Sequence, residues 1–408
     1  MNAKSTVEPP ALADLERRAW ELVPHLQAEG AATDARRTLS EVTVRKLFDA
    51  GILRYFQPRR YDGWEMPWGT QYYLSKIIAH GCPSTAWVVS VVGQHLCHAA
   101  RFPGEAQDEV WAGSKDIIVA TSSTTKPNAR VERVKGGFIV EGSYGFSSGI
   151  DHSAWGLANG AVDGEGPARW YFLMPRKDYT IDDTWHTIGM RGTGTKDLHA
   201  QKAFVPEHRA LRFDIFNNAN PPGAKHNPGY IYQMEMGPHV HGSSPLGPVV
   251  GTAEGAVKAY IDITKSRISA LTGARVADNE AVHLRLSESS AEVHAADLVA
   301  RHDLELLHER GKAGQPLSEK EKVELVRNRG YIAEQCVRAV TRLVRMMGAL
   351  GIFDDNPLNR YYRDIHAMTT QVGVSWDATM PHYGRWALGI AARGIMSTVP
   401  LSAPPRKN

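Results

Sequence analysis

Residues 318–347, SEKEKVELVRNRGYIAEQCVRAVTRLVRMM, decide the fold, because they predict one long helix packed in a bundle. Ser318 and Glu321 have the spacing of a capping box, in which each side chain binds the backbone N–H of the other residue. After them, apolar or small residues alternate at spacings of three and four, which is typical of a bundle seam. The seam consists of Val323, Val326, Gly330, Ala333, Val337, Val340, Val344 and Met347.

Three more helices complete a predicted four-helix bundle within residues 216–408. One carries a second apolar repeat, and the other two are predicted near residues 245–275 and 357–394. The second repeat consists of Val282, Leu286, Val293, Ala300, Leu304 and Leu307. A Pro-, Gly- and Asn-rich stretch, residues 217–230, precedes the bundle and indicates a linker or long loop.

The rest of the chain divides into two predicted parts. Residues 1–113 are predicted to be helical, with runs such as EVTVRKLFDA (residues 41–50) that have helical spacing. Residues 114–215 contain short β-branched and aromatic runs separated by turn residues, and Lys135-Gly136-Gly137 indicates a hairpin. The expected fold class is therefore α+β: an N-terminal α-helical domain, a middle β-barrel or sandwich domain and a C-terminal four-helix bundle.

Composition excludes several classes of function. The chain has 408 residues with 47 basic and 44 acidic side chains, so we expect neither a nucleic-acid nor a membrane partner. No run approaches about 20 apolar residues, and no secretory signal is visible at the start. Three unpaired cysteines, Cys82, Cys97 and Cys336, indicate reduced thiols and a cytoplasmic protein.

The run FSSGIDHS, residues 146–153, concentrates three hydroxyls, an acid and an imidazole in eight residues. Such a density is compatible with a serine hydrolase, a polar loop or a cofactor-binding strand. A nucleophile elbow requires G-x-S-x-G on a strand-to-helix turn, whereas the glycines here have other offsets and the surrounding pattern is β-hairpins. The hydrolase interpretation is therefore weak.

A second motif, GMRGTGTKD (residues 189–197), has two interpretations. It is either a tight turn between strands or a turn whose backbone amides and Arg191 hold an anionic cofactor. No G-x-G-x-x-G follows a strand, so no nicotinamide site is predicted. No Cys, His and carboxylate set has a familiar metal-ligand spacing, so no metal site is predicted either.

His95 lies in an otherwise apolar helical run, WVVSVVGQHLCHAA (residues 87–100). A lone histidine there is more often a hydrogen-bonded core residue than a functional base, and both interpretations stay open.

The order of helices, β unit and bundle resembles the acyl-CoA dehydrogenase fold over nearly the whole chain, and three motifs support this. GSYGFSSG (residues 142–149) is similar to the strand that runs beside the flavin ring in that superfamily. GMRGTGTKDLHAQKAFVPEHR (residues 189–209) is similar to its G-x-R-G-(S/T)-x-(S/T)…V-P pattern. MGALGIFDDNPLNRYYRD (residues 347–364) is similar to a bundle segment that ends in an Arg-Asp pair, here Arg363 and Asp364.

The dehydrogenase activity itself is disfavoured by chemistry. An acyl-CoA dehydrogenase needs a carboxylate base, commonly in a Glu-Gly-Thr run after the Arg-Asp pair. Here Val372-Gly373-Val374 occupies that place, and an isopropyl side chain cannot accept a proton, although Asp377 is a conceivable displaced base. The chain is more similar to the two-component flavin monooxygenases of this fold, such as the hydroxylases of p-hydroxyphenylacetate and of steroid-derived phenols.

That resemblance implies an oxygenase component that receives reduced flavin, FADH2 or FMNH2, from a separate NAD(P)H-dependent reductase and uses O2 as co-substrate. A C4a-hydroperoxyflavin would then hydroxylate a small aromatic substrate, a phenol or an indole-like compound. The alternatives are N- or S-oxygenation by the same flavin species, an acyl-CoA dehydrogenase-like oxidase, and a helical scaffold that binds no flavin. The resemblance also implies a homotetramer.

The candidate catalytic residues are Ser148 and Gln371, which the resemblance implies, and His95, which is a candidate because its helix is otherwise apolar. Ser148 would contact flavin N5, with Phe146 and Ser147 beside the ring. Gln371 stands where relatives often carry a histidine and cannot titrate, so the acid–base role would pass to His95 or His366, or be absent. The implied flavin-binding residues are Thr121, Ser122, Ser123, Phe146, Ser147, Ser148, Arg191, Thr193 and Arg267.

Overall fold

This computed structural model describes residues 8–392, and their first part consists of helices, as the sequence predicts. The five α-helices are α1 (Leu12–Arg36), α2 (Glu41–Asp49), α3 (Thr70–Ala79), α4 (Pro83–Ala99) and α5 (Gly104–Trp111). Ser40 Oγ accepts the backbone N–H of Thr43 at 3.1 Å and so caps α2. α4 is buried on nearly all sides and passes through the interior of the molecule.

The β unit follows α5 and has nine strands. They are β1 (Val119–Thr121), β2 (Thr124–Thr125), β3 (Arg130–Val134), β4 (Gly137–Ser147), β5 (Trp155–Ala161), β6 (Arg169–Pro175), β7 (Tyr179–Asp182), β8 (Lys196–Pro206) and β9 (Ala210–Arg212). The predicted hairpin forms, with Val134 opposite Gly137 and Gly136 at a φ of +84°.

The strands form two sheets. One has the order β1-β5-β6-β9, and the other has the order β2-β4-β8-β7 with β3 paired to β4. β1 and β5 are parallel, and the remaining pairs are antiparallel. Phe138, Tyr144, Phe172 and Leu198 from both sheets share one fully buried core, which explains the apolar alternation of these strands.

The remaining chain is helical. Its α-helices are α6 (Phe213–Asn217), α7 (Tyr230–Gln233), α8 (Pro238–His241), α9 (Leu246–Ser266), α10 (Glu280–Lys312), α11 (Glu319–Met347), α12 (Pro357–Met368), α13 (Trp376–Thr379) and α14 (Pro381–Ala387). The capping box at the start of α11 forms, with Ser318 Oγ accepting the Glu321 N–H at 3.3 Å and Glu321 Oε2 accepting the Ser318 N–H at 2.7 Å.

The prediction of one helix over residues 357–394 is wrong in its length. α12 ends at Met368, and residues 369–375 form turns before two short helices. Gln371 Oε1 accepts the backbone N–H of Gly373 at 2.6 Å, which stabilises a turn in place of another helical turn. Pro381 cannot donate a backbone hydrogen bond and starts α14 instead. Residues 393–394 lie outside the described part of the chain.

α4 connects the β unit to the bundle. His95 Nδ1 lies 2.9 Å from the Val119 carbonyl of β1, and Ser90 Oγ donates to the Ser244 carbonyl just before α9 at 2.6 Å. The side chains of α4 therefore sit where the two parts meet. Of the helices in residues 8–392, none is both long and apolar enough to cross a membrane.

Candidate active site

Ser148 lies directly after β4, in a chain of hydroxyl groups between the β unit and α4. Its Oγ is 3.1 Å from Trp87 Nε1 and 2.7 Å from Thr195 Oγ1. Thr195 Oγ1 lies 2.6 Å from Thr193 Oγ1, which donates to the Met190 carbonyl at 2.9 Å. The sequence identified Ser148 and Thr193 but missed Trp87 and Thr195, although Thr195 lies in a run that carries the family resemblance.

Gly149 makes the turn that presents Ser148. Its φ is +72°, in the left-handed region that favours glycine, and its N–H donates to the Thr193 carbonyl at 2.9 Å. A Cβ at this position would approach Val88 Cγ1 of α4 at 3.3 Å.

The acid and the imidazole of FSSGIDHS point away from the serines. Asp151 Oδ1 pairs with Lys196 Nζ at 2.9 Å. His152 Nε2 lies 3.2 Å from the Leu39 carbonyl, and its Nδ1 lies 3.1 Å from Glu41. Neither group hydrogen-bonds Ser147 or Ser148 within the described chain, so no hydrolase triad forms here.

Ser122 and Ser147 form a second, deeper hydroxyl pair. Their Oγ atoms are 2.7 Å apart and both residues are fully buried. The Ser123 N–H donates to the Gly145 carbonyl at 2.9 Å, so this residue contributes backbone structure. Thr121 Oγ1 is buried without a hydrogen-bond partner among residues 8–392, which leaves its one donor hydrogen and two lone pairs for a ligand or water.

Phe146 faces outward beside these hydroxyls. Its φ is +62°, and the pairing of β4 with β8 shifts register between Tyr144 and Ser147. The ring is 49% exposed and meets Trp185 edge-on, with centroids 6.1 Å apart. Phe146 and Trp185 therefore leave an aromatic surface open at the rim of the site.

The turn at residues 189–195 is held by the Arg363-Asp364 pair. Met190 and Gly194 have φ values of +57° and +58°, and the Met190 N–H donates to Asp364 Oδ1 at 2.6 Å. A Cβ on Gly189 would lie 2.1 Å from the Arg363 carbonyl oxygen, so only glycine fits. Asp364 is fully buried, which raises the pKa of its carboxyl to about 7. Two of the three motifs that carry the resemblance thus meet in one contact.

Arg191 lies on the outer side of this turn. Its Nε is 4.0 Å from Asp34 Oδ2, and Asp34 also pairs with Arg363 Nη2 at 3.0 Å. The Arg191 Nε–H is buried and has no hydrogen-bond partner within the described chain. Arg191 is therefore a cation with an available donor at the edge of the site.

His95 has a defined tautomer. A carbonyl oxygen only accepts, so His95 Nδ1 carries the hydrogen that binds Val119, and Nε2 keeps its lone pair. Burial lowers the pKa of His95 to about 4, so the ring is neutral at physiological pH. Nε2 has no hydrogen-bond partner among residues 8–392 and can accept one from a ligand.

A second histidine on α4 was missed as a site residue. His98 Nε2 lies 3.1 Å from His241 Nδ1, and His241 Nε2 lies 3.1 Å from Asn217 Oδ1. Gln94 Nε2 also approaches His241 Nδ1 at 2.9 Å. Burial lowers the pKa of His98 well below its usual range and that of His241 to about 3, so both rings are neutral. The spacing of His95 and His98 was the available signal, because residues three apart share a helix face.

Gln371 and His366 are not arranged for proton transfer. The Gln371 amide oxygen binds the N–H of Gly373, in a turn that packs against Gly242. His366 Nδ1 lies 2.8 Å from the Tyr362 carbonyl of its own helix, and Nε2 lies 3.4 Å from Thr341 of α11. Gln371 Oε1 and both ring nitrogens of His366 thus have contacts of their own, whereas His95 Nε2 has none among residues 8–392.

Arg267 lies away from Ser148 in this chain. It follows the last residue of α9, whereas the first turn of α9 adjoins α4. A helix of this length spans about 30 Å. Arg267 Nη1 approaches Met347 Sδ at 3.2 Å, at the far end of the bundle.

The residues around Ser148 fit a flavin. An isoalloxazine ring has flat apolar faces and an edge of N–H, N and C=O groups. Phe146 and Trp185 offer aromatic surface, and Ser148 is 7% exposed at the end of its strand. Thr121 Oγ1 lacks a hydrogen-bond partner in the part of the chain that the structure describes. Arg191 adds positive charge at the rim, which suits the anionic phosphate of a flavin nucleotide.

The chain is similar to known proteins over more than nine tenths of its length. Residues 246–376 match the family model described as acyl-CoA dehydrogenase, C-terminal domain. The flavin-dependent monooxygenase, oxygenase subunit HsaA of Rhodococcus jostii is 30% identical over 92% of this chain and 98% of its own. The p-hydroxyphenylacetate 3-hydroxylase, oxygenase component, of Acinetobacter baumannii is 28% identical over 91% of this chain and 88% of its own.

The crystal structure of 3-HSA hydroxylase from Rhodococcus sp. RHA1 superimposes with a TM-score of 0.88, at 28% identity over 94% of this chain and 99% of that chain. The fold and the site thus define a flavin-dependent oxygenase built on the acyl-CoA dehydrogenase fold. More specifically, the chain belongs to the oxygenase components of the two-component flavin-dependent monooxygenases.

Proposed function

We propose that this oxygenase component binds reduced flavin, FADH2 or FMNH2, against Ser148 and hydroxylates a small aromatic substrate, a phenol or an indole-like compound. One observation carries the proposal: a single buried helix faces the β unit with both Trp87, which binds Ser148, and His95, which binds β1. The two residues are about 12 Å apart along α4. Reduced flavin bound there supplies two electrons and activates O2, the co-substrate.

In this proposal, His95 orients the substrate. Its Nε2 lone pair accepts the hydrogen of a phenol O–H or an indole N–H, while Nδ1 stays bound to Val119. Because the pKa of His95 is lowered to about 4, the ring acts as a hydrogen-bond acceptor and a weak base at neutral pH. We assign this role to His95 and not to Gln371, because Gln371 cannot titrate and its amide oxygen already accepts the N–H of Gly373.

The proposed site also keeps water out. Val88 and Val92 of α4 are buried beside Gly149, so the turn that carries Ser148 faces apolar side chains. Exclusion of water limits the wasteful release of hydrogen peroxide. Ser122, Ser123 and Ser147 support the strand ends, and we propose that Thr121, Thr193 and Arg191 complete the flavin contacts.

A dehydrogenase-like oxidase is disfavoured by the same geometry. Val372 is half-exposed where a dehydrogenase would carry its carboxylate, and Asp377 is exposed on α13. The substrate class is supported by the names of the relatives, which are hydroxylases of aromatic compounds.

We also propose a separate NAD(P)H-dependent reductase, since the relatives are named as oxygenase subunits or components. A homotetramer is supported by large apolar side chains exposed on and beside the bundle helices. They include Leu271, Leu284, Leu298, Ile352 and Phe353. Three free, buried cysteines support a cytoplasmic location.

The proposed function is tested with the purified protein, chemically reduced FAD or FMN, and 18O2. Phenols, indole, an amine, a sulfide and an acyl-CoA serve as candidate substrates. We expect one 18O atom in an aromatic hydroxyl group of the product. Oxygen transfer only to nitrogen or sulfur would replace hydroxylation by that activity, and reduction of oxidised flavin by the acyl-CoA would overturn the oxygenase assignment. Absence of flavin binding would show that the protein is a helical scaffold without a flavin cofactor.

A further inference from the structure

The hydroxyl chain at Ser148 has a fixed direction. It has four links, from Trp87 Nε1 to Ser148, Thr195 and Thr193, and then to the Met190 carbonyl. An indole N–H can only donate, and a carbonyl oxygen can only accept. The two ends of the chain are therefore chemically different, and they determine where each hydroxyl hydrogen points.

The hydrogens can be assigned from the Met190 end. Thr193 donates to the Met190 carbonyl, so its oxygen must accept the hydrogen of Thr195 across 2.6 Å. Thr195 then accepts the hydrogen of Ser148 across 2.7 Å. Ser148 in turn accepts the Trp87 N–H at 3.1 Å. Four donors fill four links, and no other assignment satisfies all of them.

The assignment leaves Ser148 as an acceptor. Its only hydrogen is used toward Thr195, and one of its two lone pairs is used toward Trp87. One lone pair is left for a ligand. Thr193, Thr195 and Ser148 are 1%, 5% and 7% exposed, so little water is available to reorient the chain.

This polarity distinguishes the two redox states of a flavin. N5 of the oxidised ring has a lone pair and no hydrogen, whereas N5 of the dihydro ring carries a hydrogen. We infer that Thr195 and Thr193 are positioning residues that hold Ser148 as a hydrogen-bond acceptor, so that the site selects reduced flavin over oxidised flavin. The inference rests on the proposed function, because it requires N5 to lie against Ser148.

Oxidised flavin placed against Ser148 would set two lone pairs facing each other. Relieving that contact requires Ser148 to abandon Thr195, which leaves a buried hydroxyl oxygen without its donor. The turn cannot shift freely to relieve the contact, because the Thr193 carbonyl accepts the Gly149 N–H at 2.9 Å. Release of oxidised flavin after turnover follows from the same contact.

The test compares affinities for the two flavin states in Thr195→Val. This substitution keeps the shape of the side chain but removes the acceptor, so the Ser148 hydrogen becomes free to turn toward N5. Oxidised flavin is titrated by its fluorescence, and reduced flavin is titrated anaerobically by its absorbance, with FAD and FMN in separate series. We expect the dissociation constant of oxidised flavin, divided by that of reduced flavin, to fall about tenfold. This change equals a reduction potential of the bound flavin that is lower by about 30 mV.

Two control variants separate the polarity of the chain from the loss of a contact. Thr195→Ser keeps the hydroxyl and should keep the ratio. Trp87→Phe removes a hydrogen bond to Ser148 but leaves the hydroxyl hydrogen of Ser148 bound to Thr195. The ratio of the dissociation constants should therefore stay within about twofold of its original value, even if both affinities fall. Thermal unfolding of each variant confirms that the protein is folded.

The outcomes distinguish the inference from the proposed function. Binding of reduced flavin with an unchanged ratio in Thr195→Val would overturn the inference and leave the proposed function standing. An equal fall of the ratio in Trp87→Phe would also overturn it, because the loss of any hydrogen bond would then suffice. Absence of flavin binding in the unsubstituted protein would overturn both.

Discussion

Replacing Asp364 by asparagine is predicted to stabilise the protein at alkaline pH. Asp364 is fully buried between the turn at residues 189–195 and the bundle. Its Oδ1 accepts the Met190 N–H at 2.6 Å, and its Oδ2 has no hydrogen-bond partner within the described chain. Burial is the main cause that raises the pKa of the carboxyl to about 7, from an ordinary value of 3.8.

The sign and size of the effect follow from proton linkage. Between about pH 4 and pH 7 the folded protein holds a proton on Asp364 that the unfolded chain has released, so the free energy of unfolding falls as pH rises. The two pKa values correspond to a loss on the order of 4 kcal/mol by pH 8. Asparagine avoids this loss but buries an unpaired amide N–H, at about 1–3 kcal/mol. The net gain at pH 8 should be about 1–3 kcal/mol, with no gain at pH 4.5.

Urea unfolding without flavin, at pH 4.5 and pH 8, measures the difference. Asp303→Asn is the matched comparison, because burial raises the pKa of Asp303 to about 7 as well, in a different part of the bundle. In each variant the free energy of unfolding should fall less between pH 4.5 and pH 8 than it does in the unsubstituted protein. A loss of stability in Asp364→Asn at pH 8 that equals the loss at pH 4.5 would refute the reasoning, since Arg363 and Arg360 would then be stabilising a charged carboxylate.

Three further predictions concern the site. Ser148→Ala should raise the hydrogen peroxide released per reduced flavin about two- to tenfold, measured with a peroxidase assay, and unchanged coupling would exclude Ser148 from the flavin contact. His95→Asn should raise KM about tenfold. It should remove no inflection of kcat/KM between pH 5.5 and 8, because the pKa of His95 is about 4. A lost inflection would show that His95 is a titrating base. Gly189→Ala should lower the free energy of unfolding by about 1–3 kcal/mol, since its Cβ would lie 2.1 Å from the Arg363 carbonyl oxygen. Gly384→Ala, which has open space around the added Cβ, should leave the free energy of unfolding unchanged. Equal effects of the two substitutions would contradict the packing argument.

The bundle was predictable because its signals are local. The capping box and the three–four spacing of α11 lie within one segment, and both form as predicted. The fourth helix was not predictable in length, because the turn that ends it depends on a side-chain contact, from Gln371 to the N–H of Gly373. Helical spacing alone does not reveal that a side-chain hydrogen bond replaces the next backbone hydrogen bonds of the helix.

The site was predictable only in part, for a similar reason. Ser148 and Thr193 belong to runs that carry the family resemblance, and the fold places them together. Trp87 lies 61 residues away from Ser148 in sequence, so its hydrogen bond requires the packing of α4 on β4. Arg267 was selected for its residue type, but it lies at the end of α9 that is remote from Ser148 of the same chain.

The geometry of α4 constrains how substrate choice can vary in this protein. Trp87 and His95 are fixed to the β unit by hydrogen bonds and belong to one buried helix. The distance between the proposed flavin contact and the proposed substrate contact is therefore set by helix geometry. The ring of His98 lies 5.6 Å from that of His95 and contacts His241, which contacts Asn217, while the neighbouring Gly242 packs against the turn at Gln371. These groups come from short helices and turns. Turns tolerate sequence change far better than a buried helix does. Substrate selectivity should therefore be altered through residues 217–242 and 369–375, while substitutions along α4 should mainly lose coupling between flavin oxidation and product formation.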